Sequence, residues 1–170
     1  GTTDAPAYAA TDSEGVVTPG TESDPWNIRW DGQTLTLKNA VIHSEEAFGI
    51  ALTFHSKSDV TIELEGTNQV SSATWANGIL GGSYSCGVWL YTDSLNAAGS
   101  KVTIRETKAG GSLTATGGLV ASSDTGCGYS AGIGVAAASV YSGSSECGLS
   151  LTLESGAVTA RGGTEDASSG

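Results

Sequence analysis

One short segment sets the pattern for most of the chain: Val60-Thr61-Ile62-Glu63-Leu64. Its apolar side chains alternate with a threonine and a charged residue, which is the period of a β-strand with one buried and one solvated face. Three other segments repeat this order: Leu35-Thr36-Leu37-Lys38, Val102-Thr103-Ile104-Arg105 and Leu151-Thr152-Leu153-Glu154. The repetition predicts four similar strands that lie side by side.

The outward residues of these four segments form two columns when the segments are placed in register. One column contains Thr36, Thr61, Thr103 and Thr152, and the other contains Lys38, Glu63, Arg105 and Glu154. The sign of the charge alternates from each segment to the next. Neighbouring strands are about 4.8 Å apart, so opposite charges in a column attract and like charges repel. This column therefore predicts that the strands pair in chain order.

Two further types of segment recur around the threonine-charge strands. Each strand after the first is preceded by a glycine-apolar segment: Gly49-Ile50-Ala51-Leu52, Gly87-Val88-Trp89-Leu90 and Gly132-Ile133-Gly134-Val135. Each of the four threonine-charge strands is followed by a third type of segment: Ala40-Val41-Ile42, Asn68-Gln69-Val70, Leu113-Thr114-Ala115 and Val158-Thr159-Ala160. The repeating unit is three short strands in constant order, roughly 40 residues long.

This cycle of three strands predicts an all-β fold, a right-handed single-stranded parallel β-helix (solenoid) of about three to four rungs. The predicted core is Leu35, Leu37, Ile42, Ile50, Leu52, Phe54, Val60, Ile62, Leu64, Val70, Val88, Leu90, Val102, Ile104, Leu113, Ile133, Val135, Leu151, Leu153 and Val158. The alternative is a β-sandwich, which pairs neighbouring strands antiparallel and gives no reason for three segment types to cycle.

The N-terminal region differs from the repeats. Residues 1–22 are small, polar and acidic, which predicts a linker or N-terminal arm, with a short capping strand through Val16-Val17 as the alternative. The next stretch, DPWNIRWDGQTLTL, reads as a hairpin that turns at Asp31-Gly32. Trp26 and Trp30 are bulky enough to cover the end of the core. We therefore expect an N-terminal hairpin cap on a parallel β-helix domain of residues 23–170.

Composition and charge exclude several classes of function. The formal net charge is −11, so the surface repels phosphate backbones and anionic membranes, and neither nucleic-acid binding nor membrane insertion is expected. No apolar run is long enough to span a bilayer. The chain opens on Gly1 without an apolar leader, and we interpret it as a trimmed product.

A family resemblance is carried by three groups of residues. They are W-D-G-Q-T-L-T-L-K-N-A-V-I, then G-I-A-L followed by D-V-T-I-E-L-E-G-T-N-Q-V, then G-S-L-T-A-T-G-G. Over about residues 26–163 the chain resembles uncharacterised bacterial extracellular proteins built from parallel β-helix repeats, some of them carbohydrate-binding or adhesin-like. The resemblance implies a right-handed β-helix in a secreted or cell-surface protein, and it supplies no functional residue.

Three groups of residues suggest catalysis, but each has a simpler structural explanation. Gly128-Tyr129-Ser130-Ala131-Gly132 fits G-x-S-x-G, yet no helix follows it and both histidines lie upstream. Arg105, between Glu63 and Glu154, invites comparison with β-helix polysaccharide lyases, but a ladder of solvated charges explains these residues as well. Cys86 falls in an apolar column with Phe48 and Ala131. We therefore predict no catalytic residue, metal site or cofactor.

The cysteines leave one disulfide pairing open, and the histidines do not indicate a metal site. Cys86, Cys127 and Cys147 are too few for a disulfide framework, although a disulfide between two of them is open in an exported protein. His43 and His55 are separated by a turn and have no Cys or Asp at ligand spacing, so no metal site is expected there.

The aromatic residues carry the strongest functional signal. Val88 and Leu90 are predicted to face inward, so Trp89 and Tyr91 stand side by side on the outer face. Their column neighbours are small: Ala51 and Gly134 beside Trp89, and Thr53 and Ala136 beside Tyr91. Exposed aromatic rings on a flat strand face can stack on sugar rings. Alternatively, a turn that contains Trp75 and Tyr84 covers Trp89.

The sequence therefore predicts a non-enzymatic extracellular or cell-surface module that binds carbohydrate or mediates adhesion. Trp89, Tyr91 and Trp75 are the predicted contact residues, and a polysaccharide or cell-surface glycan is the predicted partner. The alternatives are a glycan-cleaving enzyme of the polysaccharide-lyase type and a purely structural surface spacer. An uncovered last rung also predicts end-to-end self-association or pairing with further repeats.

Overall fold

The computed structural model describes residues 5–73, 83–119, 128–137 and 148–163, and the chain is all-β there apart from a short 3₁₀ turn at Leu95–Ala97. The strands are β1 (Ala7–Thr11), β2 (Val17–Gly20), β3 (Ile28–Trp30), β4 (Thr34–Lys38), β5 (Val41–Ser44), β6 (Phe48–Phe54), β7 (Asp59–Glu65), β8 (Thr67–Ser72), β9 (Ser83–Thr92), β10 (Ser100–Glu106), β11 (Ser112–Thr116), β12 (Gly128–Ala137), β13 (Leu149–Leu153) and β14 (Ala157–Arg161). Within these ranges, no helix is long and apolar enough to cross a membrane.

The strands form three sheets, and every pairing among β4–β14 is parallel. The sheets have the orders β13-β10-β7-β4-β3-β1-β2, β14-β11-β8-β5 and β12-β9-β6. Each pass of the chain adds one strand to each sheet in the same sequence, as in β6, β7 and β8. The three predicted segment types are therefore confirmed as members of three separate parallel sheets. The β-sandwich alternative does not fit, since it required antiparallel neighbours.

The register of the threonine-charge strands agrees with the prediction in all but the first strand. Thr61, Thr103 and Thr152 lie in one column. The predicted positions of Thr36 and Lys38 are wrong, because β4 is displaced by two residues and pairs Thr36 with Glu63 and Lys38 with Glu65. A displacement of two residues keeps every side chain on its own face, so the apolar residues of β4 still face the core.

The displacement of β4 has a local physical basis. The hairpin with β3 determines where β4 begins, since Trp30 pairs with Leu35 across the turn. In the resulting position the Lys38 Nζ lies 3.8 Å from the centroid of the Trp26 ring. A hydrogen bond from Lys108 lowers the pKa of Glu65, and burial opposes the shift. The charges of Lys108 and Lys38 lower this pKa further. Lys38 thus has favourable contacts on two sides.

Most of the predicted core is confirmed. The buried members are Leu35, Leu37, Ile42, Phe54, Val60, Ile62, Leu64, Val70, Val88, Leu90, Val102, Ile104 and Leu113. Ile50, Leu52, Ile133 and Val158 are partly buried and pack against this cluster. The assignment is wrong for Val135, Leu151 and Leu153, which are 49%, 39% and 53% exposed. They lie on β12 and β13, the end strands of their sheets, which have a neighbour on one side only among the described strands.

The N-terminal segment is folded onto the largest sheet. The predicted hairpin is confirmed, because β3 pairs antiparallel with β4. Strands β1 and β2 continue the sheet antiparallel, so part of the predicted arm of residues 1–22 belongs to it. Trp30 packs against the core as expected. Trp26 instead contacts the ring of Tyr8, at a centroid distance of 5.4 Å, and does not reach the core cluster.

A buried asparagine ties three successive passes of the chain together. Asn68 is fully buried, and its Oδ1 accepts a hydrogen bond from the backbone N–H of Ala40 at 2.9 Å. Its Nδ2 donates to the carbonyl of Ser112 at 3.0 Å. The residues in the same column further along are the apolar Leu113 and Val158. Asn68 therefore supplies the partner of the Ala40 N–H, which an apolar side chain would leave unpaired, and it adds a side-chain hydrogen bond to the Ser112 carbonyl.

We predict that Asn68→Ala lowers the free energy of unfolding by about 1–3 kcal/mol, because the buried N–H of Ala40 is left without a partner. Urea unfolding followed by circular dichroism measures this change. Gln69→Ala is the matched control, since Gln69 is the next residue and is exposed. Equal unfolding free energies for the two variants would contradict the role given to Asn68.

Candidate functional site

The outer face of the three-stranded sheet carries a group of four aromatic side chains, called here the aromatic row: Phe48, Tyr84, Trp89 and Tyr91. The rings of Trp89 and Tyr91 are 6.2 Å apart between centroids and nearly parallel, at 16°. Phe48 stacks on Trp89 at 5.1 Å and 9°, and Tyr84 contacts Trp89 at 5.4 Å and 46°. All four side chains are half-buried. Trp89 and Tyr91 thus stand side by side, as the sequence predicts.

Strand alternation is the cause of this placement. Val88 and Leu90 are buried in the core at 1% and 0% exposure, so Trp89 and Tyr91 must point the other way. Gly87 precedes them at a close approach to β11: a Cβ at Gly87 would lie 2.7 Å from the backbone nitrogen of Thr116. The absence of a side chain at Gly87 therefore lets β9 pack against β11.

Small residues flank the two central rings, as predicted. Trp89 is in register with Ala51 and Gly134, and Tyr91 is in register with Thr53 and Ala136. Trp89 is half-buried and not uncovered, because Phe48 and Tyr84 pack against its ring. An ideal Cβ on Gly134 would lie 2.8 Å from Trp89 Cε3, so the indole leans across the sheet and fills the space above the glycine.

A groove of about 340 Å³ lies beside the leaning indole. It is lined by Tyr84, Cys86, Trp89, Ala131, Gly134, Val135 and Ala136. Trp89 and Tyr84 supply its aromatic side chains, and Cys86 of β9 and four residues of β12 supply the rest. Its volume is at the lower end of the range for small-ligand sites, which is about 300–1,000 Å³.

A histidine–carboxylate pair occupies the next outward positions along the same face. Asp93 follows Tyr91 by two residues, and its Oδ2 makes a hydrogen bond with Nδ1 of His55, which follows Thr53 by two residues. The other carboxylate oxygen of Asp93 is buried and has no hydrogen-bond partner within the described residues. Thr53 is in register with Tyr91, and the same register two residues further on brings His55 beside Asp93. Continuing the sequence alignment of the two strands by two residues would therefore have predicted the pair.

The remaining predicted contact residue, Trp75, and the tyrosine of the proposed covering turn have different outcomes. Tyr84 belongs to β9 itself and not to a turn, so it contacts Trp89 from within the strand. Trp75 lies outside the described residues, as do Cys127 and Cys147. Phe48 is a member of the row that the sequence analysis treated only as an apolar column residue. Its stacking depends on a side-chain orientation that alternation does not specify.

Cys86 is a packed residue, as its column with Phe48 and Ala131 predicts. It is a free thiol with 1% exposure. Burial raises the pKa of the thiol to about 11, with a smaller opposing contribution from a backbone hydrogen bond at Ala131. At neutral pH almost none of it is thiolate, the reactive form, so Cys86 is unsuited to nucleophilic chemistry.

Ser130, the central residue of the G-x-S-x-G match, holds two glycines in place. Its hydroxyl donates to the carbonyl of Gly118 at 2.7 Å and accepts from the N–H of Gly163. Ser85, in register one pass earlier, donates to Ala73 and accepts from Gly118 in the same way. Both serines therefore bridge neighbouring passes, which agrees with a structural origin for the motif.

Arg105 lies in the charge column on the largest sheet. Its Nη2 donates to Glu63 Oε1 at 2.7 Å, with Arg105 and Glu63 side chains 45% and 21% exposed. This hydrogen bond and the charge of Glu63 raise the pKa of Arg105, and Glu154 adds to the shift. A guanidinium that holds its proton more tightly is a poorer base. Within the described residues, no three His, Cys, Asp or Glu side chains group as metal ligands.

We predict that Gly134→Val destabilises the fold by about 1–3 kcal/mol, because the new side chain overlaps both Cys86 Sγ and the Trp89 indole. In a Trp89→Ala background the same change should cost at least about 1 kcal/mol less. Urea unfolding of the wild type, both single variants and the double variant measures the coupling. Strictly additive effects would show that the indole does not fill the space above Gly134.

We also predict that Cys86 is protected from thiol reagents in the folded protein. In a Cys127→Ser/Cys147→Ser variant at pH 8, labelling should be at least about 100-fold slower in the folded than in the urea-unfolded protein. The raised pKa of Cys86 leaves less of its thiol in the reactive thiolate form at pH 8, so labelling is slower. Similar rates in the two states would contradict the burial of Cys86.

Comparison of the chain with protein-family models, curated proteins and solved structures finds no match. Inferences about function therefore depend on the geometry of the site. Three features bear on it: the aromatic row, the adjoining groove and the pair formed by His55 and Asp93.

Proposed function

We propose that the three parallel sheets are the faces of a right-handed single-stranded parallel β-helix of about three to four rungs. Each pass of the chain adds one strand to every sheet in constant order, which is what a solenoid with three faces requires. The bridge made by Asn68 between successive passes supports the same arrangement. Under this proposal β3 and β4 form the N-terminal hairpin cap.

We further propose that the protein is a non-enzymatic, secreted or cell-surface module that binds carbohydrate and through it mediates adhesion. The observation that carries the proposal is the aromatic row beside a groove of about 340 Å³ on a flat strand face. Aromatic rings with one accessible edge or face are suited to the apolar faces of sugars. The extracellular location rests on the family resemblance of the repeats.

The polar groups near the row favour a sugar over a purely apolar ligand. His55 lies on the same outer face, two residues beyond Thr53, and its exposed ring, bonded through Nδ1 to Asp93, can make hydrogen bonds with hydroxyl groups. The net charge of −11 repels polyanions. The ligand class that fits is therefore a neutral or amino-sugar polysaccharide, and not an acidic one.

A purely structural surface spacer is the second candidate. The observation that favours it is the packing of Trp89, whose ring stacks on both Phe48 and Tyr91 and so has much of its surface engaged within the protein. A glycan-cleaving enzyme of the polysaccharide-lyase type has less support. Hydrolysis of a glycosidic bond needs two carboxyl groups that face each other, and a lyase of this type needs a base beside several convergent carboxylates that hold Ca²⁺. Arg105 instead stands in an open ladder between Glu63 and Glu154.

We predict that the protein binds at least one neutral or amino-sugar polysaccharide, and that Trp89→Ala and Tyr91→Ala each weaken the affinity roughly tenfold by removing a stacking ring. Depletion assays on insoluble polysaccharides and titration calorimetry on soluble ones measure this. Tyr8→Ala and Trp26→Ala are the matched controls, since those rings contact each other at the N-terminal end. Both controls should bind like the wild type.

Other outcomes separate the alternatives. Binding to none of the neutral, amino-sugar and acidic polysaccharides would favour the spacer. Release of new reducing ends or unsaturated products from any of them would favour the enzyme. Equal affinity of Trp89→Ala and the wild type would remove the aromatic row from the site.

A further inference from the structure

The three sheets end on the same side of the molecule, on β12, β13 and β14. Each of these strands has a neighbour on one side only among the described strands. Three of the large apolar side chains that are exposed lie there: Val135, Leu151 and Leu153, at 49%, 39% and 53%. A strand edge with exposed apolar residues is a template for pairing with another chain.

The opposite end of the largest sheet is protected. Its edge strand β2 has four residues and contains Pro19, which has no N–H to donate to a neighbour. It is joined through β1 and β3 by antiparallel pairing, unlike the parallel pairs of the repeats. The two ends of this sheet therefore differ, and a second copy cannot continue the parallel order by pairing its β2 with β13.

The edge of β13 has a defined register and charge. Thr103 pairs with Thr152 and Ile104 with Leu153, and the N–H of Glu154 donates to the carbonyl of Ile104 at 2.9 Å. Glu154 thus follows in the column of Glu63 and Arg105. It is exposed, with the guanidinium of Arg105 on one side. The alternation of charge leaves a favourable position for a cation on its other side.

We propose that the outer edge of β13, beside which the described residues place no further strand, is a docking site for an extended segment of a different polypeptide, added parallel to β13. Every second residue of the docked segment is apolar and covers Leu151 or Leu153, and a lysine or arginine of the segment lies beside Glu154. This is strand addition, in which backbone hydrogen bonds supply affinity and the side-chain pattern supplies selectivity. A partner with a cationic segment is favoured over a second copy, because each copy has a net charge of −11. The inference is independent of carbohydrate binding.

The chain contains a segment with the required pattern. Strand β10, Ser100–Glu106, lies between β7 and β13, with Val102 and Ile104 in the core at 0% and 2% exposure. It carries Arg105 in the charge column. A peptide with the sequence of β10 is therefore a direct probe of the free edge. Exchanging its last two residues, Arg105 and Glu106, gives a control peptide of identical composition and net charge that places a glutamate beside Glu154.

The experiment measures fluorescence anisotropy of the two labelled, end-blocked peptides with the full chain at low ionic strength. We expect the β10 peptide to bind at least fivefold more tightly than the exchanged peptide. In Glu154→Arg the order should invert, because the exchanged peptide then places its glutamate beside a cation. Circular dichroism and urea unfolding confirm that the variant is folded, as expected for an exposed position.

Four results would overturn the proposal. One is equal affinity for the two peptides, and another is no binding of either peptide at millimolar concentration. The third is an unchanged order of affinity in a folded Glu154→Arg variant. A dimer in sedimentation velocity that excludes the β10 peptide would show that a second copy occupies the edge, and would likewise overturn it.

Discussion

The register between parallel strands is the constraint on which the rest of this structure depends. Each strand of one pass pairs with its counterpart in the next, so a side chain faces the core or the solvent according to its place in the column. A slip of one residue would expose the whole apolar set, whereas the slip of two in β4 does not. Asn68 reinforces the register, since its two hydrogen bonds join the pass before it to the pass after it.

The candidate site follows from that constraint. Because Val88 and Leu90 are held in the core, Trp89 and Tyr91 have to stand on the outer face, and the columns bring Gly134 and Ala136 beside them. Gly134 then admits the indole, which leans over β12 and borders the groove. The site is thus built on paired strands, whose positions are held by the backbone ladder. Its rings are partly used in packing against one another, which is why binding and structural roles compete for the same residues.

The two ends of the molecule also differ for reasons of strand pairing. Antiparallel strands, a proline and Trp30 close the N-terminal side of the largest sheet. At the other side, Leu151 and Leu153 of β13 are exposed. The residues at the same positions in earlier passes are covered by the next strand. The same columns that bury Val102 and Ile104 in the middle of the sheet leave their counterparts exposed at its end. A residue's burial here depends on its pass as much as on its type.

The sequence by itself determined the three kinds of strand, their parallel order, which face each residue occupies, and the small neighbours of Trp89 and Tyr91. These follow from alternation, which is a local property of a few consecutive residues, and from its repetition along the chain. Only the tertiary structure decided the displacement of β4, the stacking of Phe48, the lean of Trp89 and the meeting of His55 with Asp93. Those features depend on turn geometry and on side-chain rotamers in contact across different passes, and no short window of sequence specifies them.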